Sequence, residues 1–202
     1  MLGVLPAVRR ARLPVVWMVL ANLTGIGAGM VLVHAGFGPA LAFRDRLVGR
    51  AMQSSSIMQA QQRGFPLRAA ALDLAANAGA AAVPTTVMGL SVVLPFPVAV
   101  ARGFVGGVVS VDGDHHSRLA DPREAAYYLI VLILQVIPYA LAGGAGVRLG
   151  LGFVLPKSRW GYDGSSRWLG LLPAEGVRDV GRMYVVALPL FLVASLVEFV
   201  MR

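Results

Sequence analysis

The chain has 202 residues, 57% hydrophobic and only 14% charged, with a mean hydropathy of +0.71; soluble domains carry roughly 25% charged residues, so water is not its main solvent. The net charge of +8 is carried almost wholly by arginine, with Lys157 as the single lysine, a surplus suited to anionic lipid headgroups. No cysteine occurs, which excludes disulfides, iron–sulfur clusters and thiolate metal sites.

The apolar residues arrive in long blocks, and roughly 18 or more apolar residues with few charges are enough for a helix to cross the hydrocarbon core. The blocks predict an all-α, polytopic membrane helical bundle of about five transmembrane helices in a single membrane domain, residues 1–202. The first block, about 13–36, follows Arg9, Arg10 and Arg12. Such a positive region also precedes signal peptides, but this apolar stretch exceeds a signal core of roughly 7–15 residues and no small-residue cleavage site follows. Gly25 and Gly29, with Asn22 nearly one turn earlier, form a small-residue seam for close helix approach. His34, near the end of the block, suits a helix cap or a headgroup contact better than haem or chlorophyll ligation.

Residues 39–68 mix Arg44, Arg46, Arg50 and Arg63 with Leu41, Phe43, Leu47 and Ile57. That pattern predicts an amphipathic helix along the membrane surface with arginine heads on phosphate, and it fits a solvated helical hairpin equally well. In the second block, 69–94, Asp73, Asn77, Ala81, Thr85 and Gly89 recur every four residues and share one slowly drifting helical face. Packing against another helix is the simpler reading of that face. A polar conduit is the other, because an intramembrane carboxylate is costly unless paired.

Pro84 and the Pro95-Phe96-Pro97 break interrupt helical hydrogen bonding, and broken helices also line substrate sites in transporters. The third block, 95–111, is short and rich in glycine and proline, so it either spans or re-enters. Arg102 sits there beside Gly103, Gly106 and Gly107, where an arginine must snorkel or find an acidic partner; Asp73 and Glu198 are the candidates.

The segment from Asp112 to Asp121 is the most acidic of the chain. Its His115-His116 pair with Asp112 and Asp114 offers donors for a divalent metal, but adjacent histidines cannot face one way on a regular element and no further histidine or cysteine supports a site. No metal or other cofactor is expected. Asp121 followed by Pro122 predicts an N-cap and first helical position for the fourth block, 124–149. Within it Gln135, Tyr139 and Gly143 recur at four-residue spacing, followed by Gly146 and Gly150, a second seam. The loop 156–176 carries Trp160, Tyr162 and Trp168, which favour the headgroup level. Glu198 closes the fifth block, 177–201, either at the interface or as a buried carboxylate with a cationic partner.

With the N-terminus inside and five crossings, nine basic residues (among them Lys157 and Arg159) fall inside and eight, Arg202 included, outside. That near-balance leaves the acidic 112–121 loop outside and the lysine-bearing loop inside as the features favouring a cytoplasmic N-terminus. No Ser-His-Asp order, phosphate-binding glycine loop or zinc motif is present, so a non-catalytic protein is expected. The arginines are scattered without an aromatic platform, which argues against nucleic acid. Other integral membrane proteins are the expected partners, with lipids contacted through Arg44, Arg46, Arg50, Trp160 and Trp168.

Three stretches resemble the stage II sporulation protein M family of bacterial membrane proteins. Asn77 and Gly89 followed by Ala-Arg-Gly-Phe-Val-Gly-Gly at 101–107 are similar to its asparagine, glycine and Asn-Gly-x-x-x-Gly series. Gln135 through Gly150 resembles its Glu-Leu-Pro-Ala segment and glycine-rich tail, and Pro189 and Glu198 fall as in its last helix. The resemblance covers roughly residues 70–202. This chain departs from it at Val131 and Gln135, where the family's Pro-His-Gly-x-x-Glu signature has histidine and glutamate, and at Arg102, which replaces asparagine. The resemblance implies a non-catalytic accessory or scaffold subunit of a larger assembly in the bacterial inner membrane; in sporulating bacteria the namesake recruits peptidoglycan-degrading partners. The Asp73/Asn77/Thr85 stripe, the broken third block and Arg102 motivate a transport component, such as an exporter permease-like subunit or small channel, as the alternative.

Overall fold

A computed structural model describes residues 3–156, 160–162 and 166–201. Lys157, Arg159 and Arg202, which enter the charge balance across the membrane, lie outside the described residues. Eight α-helices carry the described fold: α1 (Val4–His34), α2 (Gly38–Ser54), α3 (Ser56–Gln62), α4 (Pro66–Ala75), α5 (Val83–Met88), α6 (Pro95–Val108), α7 (Pro122–Val154) and α8 (Ala174–Phe199). A two-stranded hairpin, Arg167–Trp168 with Leu172–Pro173, precedes α8.

Helices α1, α7 and α8 are long and apolar enough to cross a membrane, and only 28%, 33% and 28% of their most apolar windows are buried in the protein. The rest of that apolar surface faces outward, through Trp17, Ile133 and Val185 among others. Such surface is stable against lipid and not against water. Helix α1 runs about 46 Å against a hydrocarbon core of about 30 Å. Its arginine-bearing first turns therefore extend beyond the apolar layer, where Arg10 forms a two-pronged contact with the buried Asp179 of α8 at 2.7 Å on each oxygen. Arg182 joins the same carboxylate at 3.0 Å.

The second apolar block forms a helical run in four pieces. α4 passes into a π-helix, Ala76–Ala82, then α5, then a 3-10 turn, Gly89–Ser91. Pro84 explains the widening: it has no N–H to donate, and its ring would strike the carbonyl four residues back. The Val83 amide accordingly bonds Ala78, five residues back, and the alanine-rich sequence offers no side chain that resists the wider turn. Thr85 and Thr86 hydroxyls donate to the carbonyls of Ala81 and Ala82 at 2.8 and 3.0 Å. The run extends from Ala69 and Ala70 against Phe199, in the last turn of α8, to Gly89 and Leu90 against Gly146 and Gly150 of α7. Val92, at φ +67°, then reverses the chain into α6.

Fourteen residues long, α6 covers about 21 Å. It contains no reversal of its own and lies along α1 in the same direction, with Phe96 near Met18 and Val108 near Val33. Backbone-to-backbone contact makes this possible. A Cβ on Gly25 would overlap the Val100 carbonyl, and one on Gly103 the Asn22 carbonyl; Gly29 and Gly107 face each other one turn on. The seam on α1 therefore has the glycines of α6 as its partner. Gly146 packs against Thr86 and Gly89, and Gly143 against Met18 and Thr85, joining α7 to the broken run and to α1.

Residues 39–68 form α2, α3 and the first turn of α4. Ala40 of α2 packs with Val33, Val108 and Val111, and Arg46 and Arg50 are exposed. Arg44 differs from the expectation of a headgroup contact: it is 5% exposed and donates to the Val111 carbonyl at 3.3 Å and to Asp45 at 3.0 Å. An arginine on the side of α2 that meets α6 finds its acceptors within the protein. Trp168 is half-exposed, and the Trp160 carbonyl accepts from Arg148.

Two predictions follow from these contacts. Valine at Gly25 or Gly103 is expected to destabilise the protein by about 1–3 kcal/mol through overpacking. Valine at Gly27, which has nothing within 4 Å, should stay within about 0.5 kcal/mol; thermal unfolding in detergent distinguishes the three. The Arg44 guanidinium, then His115 at 3.0 Å, hold the Asp45 carboxyl below the usual carboxylate range. A depressed carboxyl contributes above its ordinary value of about 4 and loses that contribution as pH falls through its folded value. Proteolytic cleavage of residues 44–63 should therefore rise on acidification below about pH 4, and Asp45→Asn should abolish that dependence.

Candidate functional site

Seven polar side chains that the apolar blocks carry inward converge where α6, α7, α8 and the broken run meet. Arg102 of α6 donates to the Tyr139 hydroxyl at 3.0 Å, and its guanidinium carbon lies 3.6 Å from the Tyr139 ring centroid. Tyr139 in turn donates to the Asn77 carbonyl oxygen. The Asn77 amide donates to Asp73 at 2.9 Å, and Ser195 of α8 donates to the same carboxylate oxygen at 2.8 Å. One turn of α7 away, Gln135 donates to Glu198 at 2.8 Å.

Every hydrogen bond from Arg102 to Asp73 points the same way, from cation to carboxylate through two neutral groups. Such a chain neutralises both charges, and each bond polarises the next. Local structure places the parts. Asp73 and Asn77 are one turn apart at the entry to the π-helix, and Gln135 and Tyr139 are one turn apart on α7. Ser195 is wholly buried, and the Tyr139 ring meets Phe191 edge-on at 4.8 Å between centroids.

The network borders a cavity of about 550 Å³ lined by Asn22, Asn77, Arg102, Gly103, Gln135 and Tyr139 together with apolar side chains of α1, α6 and α7. Of the residues singled out in the sequence, Asn77, Arg102, Gly103 and Gln135 thus meet at one cavity, with Asp73 and Glu198 directly behind it. Gly107 lies in the α1–α6 seam. Thr85, Gly89, Gly143 and Gly146 lie in the contact between α7 and the broken run, away from the cavity. The anticipated direct partner of Arg102, Asp73 or Glu198, is replaced by Tyr139, which relays to Asp73.

Sequence reasoning passed over Ser195, Thr86 and Tyr184. Thr86 lies 3.0 Å from the Ala142 carbonyl and 2.8 Å from the Tyr184 hydroxyl, a second polar knot between α5, α7 and α8. Ser195 stands three residues before Glu198 on α8, a spacing that marks a shared face.

The other candidates are engaged elsewhere. His34 donates through Nδ1 to the Met30 carbonyl at 2.9 Å and accepts at Nε2 from Ser117 at 2.8 Å, so both ring nitrogens are occupied. His115 turns to Asp45 while His116 turns to Asp112. Asp112, Asp114 and His116 bring one ligand atom each within 4.8 Å of one another. Asp112 already accepts from the Asp114 and His116 amides at 2.9 and 2.8 Å, which accounts for the turn and holds its carboxyl below the usual range.

The apolar, outward-facing helices and the inward polar network define an all-α protein of the membrane type. Within that class, the stage II sporulation protein M family matches residues 15–200, and the chain belongs to it. The match takes in the first long helix as well as the region from residue 70 onward. No curated protein and no solved structure matches the chain.

Removing the hydroxyl in Tyr139→Phe should cost about 1–3 kcal/mol, because Asn77 and Arg102 both lose a partner. Arg102→Gln and Asp73→Asn should each destabilise. Combined, they should cost less than their sum by about 0.5–3 kcal/mol, the coupling of two ends of one network, read from detergent unfolding of the four proteins of the cycle.

Proposed function

We propose that this protein is a non-catalytic accessory or scaffold subunit that crosses the bacterial cytoplasmic membrane five times, N-terminus inside, and packs against partner membrane proteins. One observation carries the reading: the interior polar groups are directed at one another. Arg102, Tyr139, Asn77, Asp73 and Ser195 tie three helices and the broken run together, the arrangement of a rigid platform. Five crossings are supported by the direction of the segments. The broken run reaches from the level of Phe199 to the level of Gly150, opposite ends of α8 and α7, and α6 returns along α1. Family membership is compatible with a membrane accessory role exercised through contact.

A transport component is the second reading, favoured by the cavity beside Arg102 and by the helix broken at the π-turn. Purification in mild detergent followed by mass determination separates the two. The scaffold reading predicts a complex with other membrane proteins that survives Asp73→Asn, whereas a stable lone monomer counts against it. A transport role predicts that Asp73→Asn or Arg102→Gln lowers solute flux in reconstituted vesicles while assembly is unchanged.

A further inference from the structure

The cavity beside Arg102 does not end there. Gly106, Val109, Leu132 and Gln135 line both it and a second cavity of about 170 Å³. Arg118, Tyr127 and Tyr128 in turn line both that chamber and a third space, of about 560 Å³. The first two form a cleft between α6 and α7, which are bridged by Tyr128 donating to the Gly106 carbonyl at 2.7 Å and by Arg102 donating to Tyr139, and the third opens beyond it between the 112–124 segment, the first turns of α7 and Met201. The outer space is walled by charged groups, Arg118, Arg123, Asp112, Asp121 and Glu124; the middle chamber carries Gln135 and Glu198 beside its apolar lining, and the walls of the inner chamber are mostly aliphatic. Arg118 Nε is shielded from solvent and has no hydrogen-bond partner among the described residues.

We infer that this cleft holds one acyl chain of a phospholipid, with its phosphate at Arg118 and Arg123. Depth and charge agree. From Tyr128 at the mouth to Tyr139 at the floor is eleven residues of α7, about 17 Å at about 1.5 Å per residue. One leaflet of hydrocarbon is about 15 Å, half the core thickness. The mouth lies at the end of the bundle where the charged 112–124 segment meets the surface, level with headgroups. Its three carboxylates can pair with the ammonium of a zwitterionic phosphoethanolamine head, which the neutral glycerol of a phosphoglycerol head cannot supply, so the former suits it better.

Native mass spectrometry of the full chain in detergent, given dipalmitoyl phosphatidylethanolamine or phosphatidylglycerol, tests this. One phosphatidylethanolamine should be retained. Gly106→Phe, whose side chain enters the cleft toward Leu132, should weaken retention at least about tenfold, and Arg118→Gln with Arg123→Gln should weaken it comparably. A phosphatidylethanolamine with a diazirine at the chain end, photolysed on the unaltered protein, provides a readout independent of any variant's folding. Adducts should concentrate on Val98, Ala101 and Val136 near the floor, whereas labelling spread evenly over outward residues such as Val185 and Leu188 would overturn the proposal. Equal retention by Gly106→Phe also overturns it if that variant unfolds at the same temperature as the original chain. Preferential retention of phosphatidylglycerol overturns the headgroup assignment.

Discussion

A guanidinium and a carboxylate withdrawn from water each cost several kcal/mol unless they are compensated. Arg102 and Asp73 meet that requirement through Tyr139 and Asn77. Because the four residues come from α6, α7 and the two sides of the α4–π junction, compensation requires all these segments to be docked together. Ser195 extends the requirement to α8. Apolar packing between helices gains little in lipid, where the tails are as apolar as leucine. A directed polar chain therefore specifies the arrangement in a way that aliphatic contact does not.

Glycine makes the chain geometrically possible. α6 is too short to bury an extended face, and it compensates by approaching α1 at backbone distance through Gly103 and Gly107 against Gly25 and Gly29. That approach sets the depth at which Arg102 enters the bundle. With α6 committed to α1, a gap opens between α6 and α7, bridged by Tyr128 and Arg102. The cleft is thus a consequence of the same seam that fixes the short helix. At the opposite end Arg10, Asp179 and Arg182 lock α1 to α8, and Arg148 holds the loop through the carbonyls of Trp160 and Gly161 and its contact with the Tyr162 ring at 4.2 Å. Burial of that ring pushes the Tyr162 hydroxyl up to about 12, so it remains neutral beside the guanidinium.

Pro84 shows how a local sequence feature becomes a tertiary one. A proline in mid-helix forces a choice between a kink and a change of hydrogen-bond register, and the alanine-rich stretch before it permits the π-turn. The wider turn places Asp73 and Asn77 toward α8 and Tyr139 while Thr85 and Gly89 face α7. The four-residue stripe seen in the sequence is therefore divided between the polar network and a packing seam.

Much of this was determined by the sequence. Long apolar blocks with few charges dictate membrane helices, since only hydrogen-bonded helices or closed barrels satisfy the backbone in lipid. The i, i+4 spacings of Asp73 with Asn77, of Gln135 with Tyr139 and of Gly25 with Gly29 state which residues share a face. Asp121 and Pro122 mark the start of α7, where the Asp121 carboxylate accepts from the Arg123 and Glu124 amides at 2.8 and 2.9 Å. Only the tertiary structure decided what each face meets. Periodicity is a property of one helix, while partnership depends on the docking of two, so Gly103 as the neighbour of Asn22, and Tyr139 as the relay between Arg102 and Asp73, had no signal in spacing. Arg44 carries the same lesson: its charge suggested lipid phosphate, and its position against α6 gave it the Val111 carbonyl.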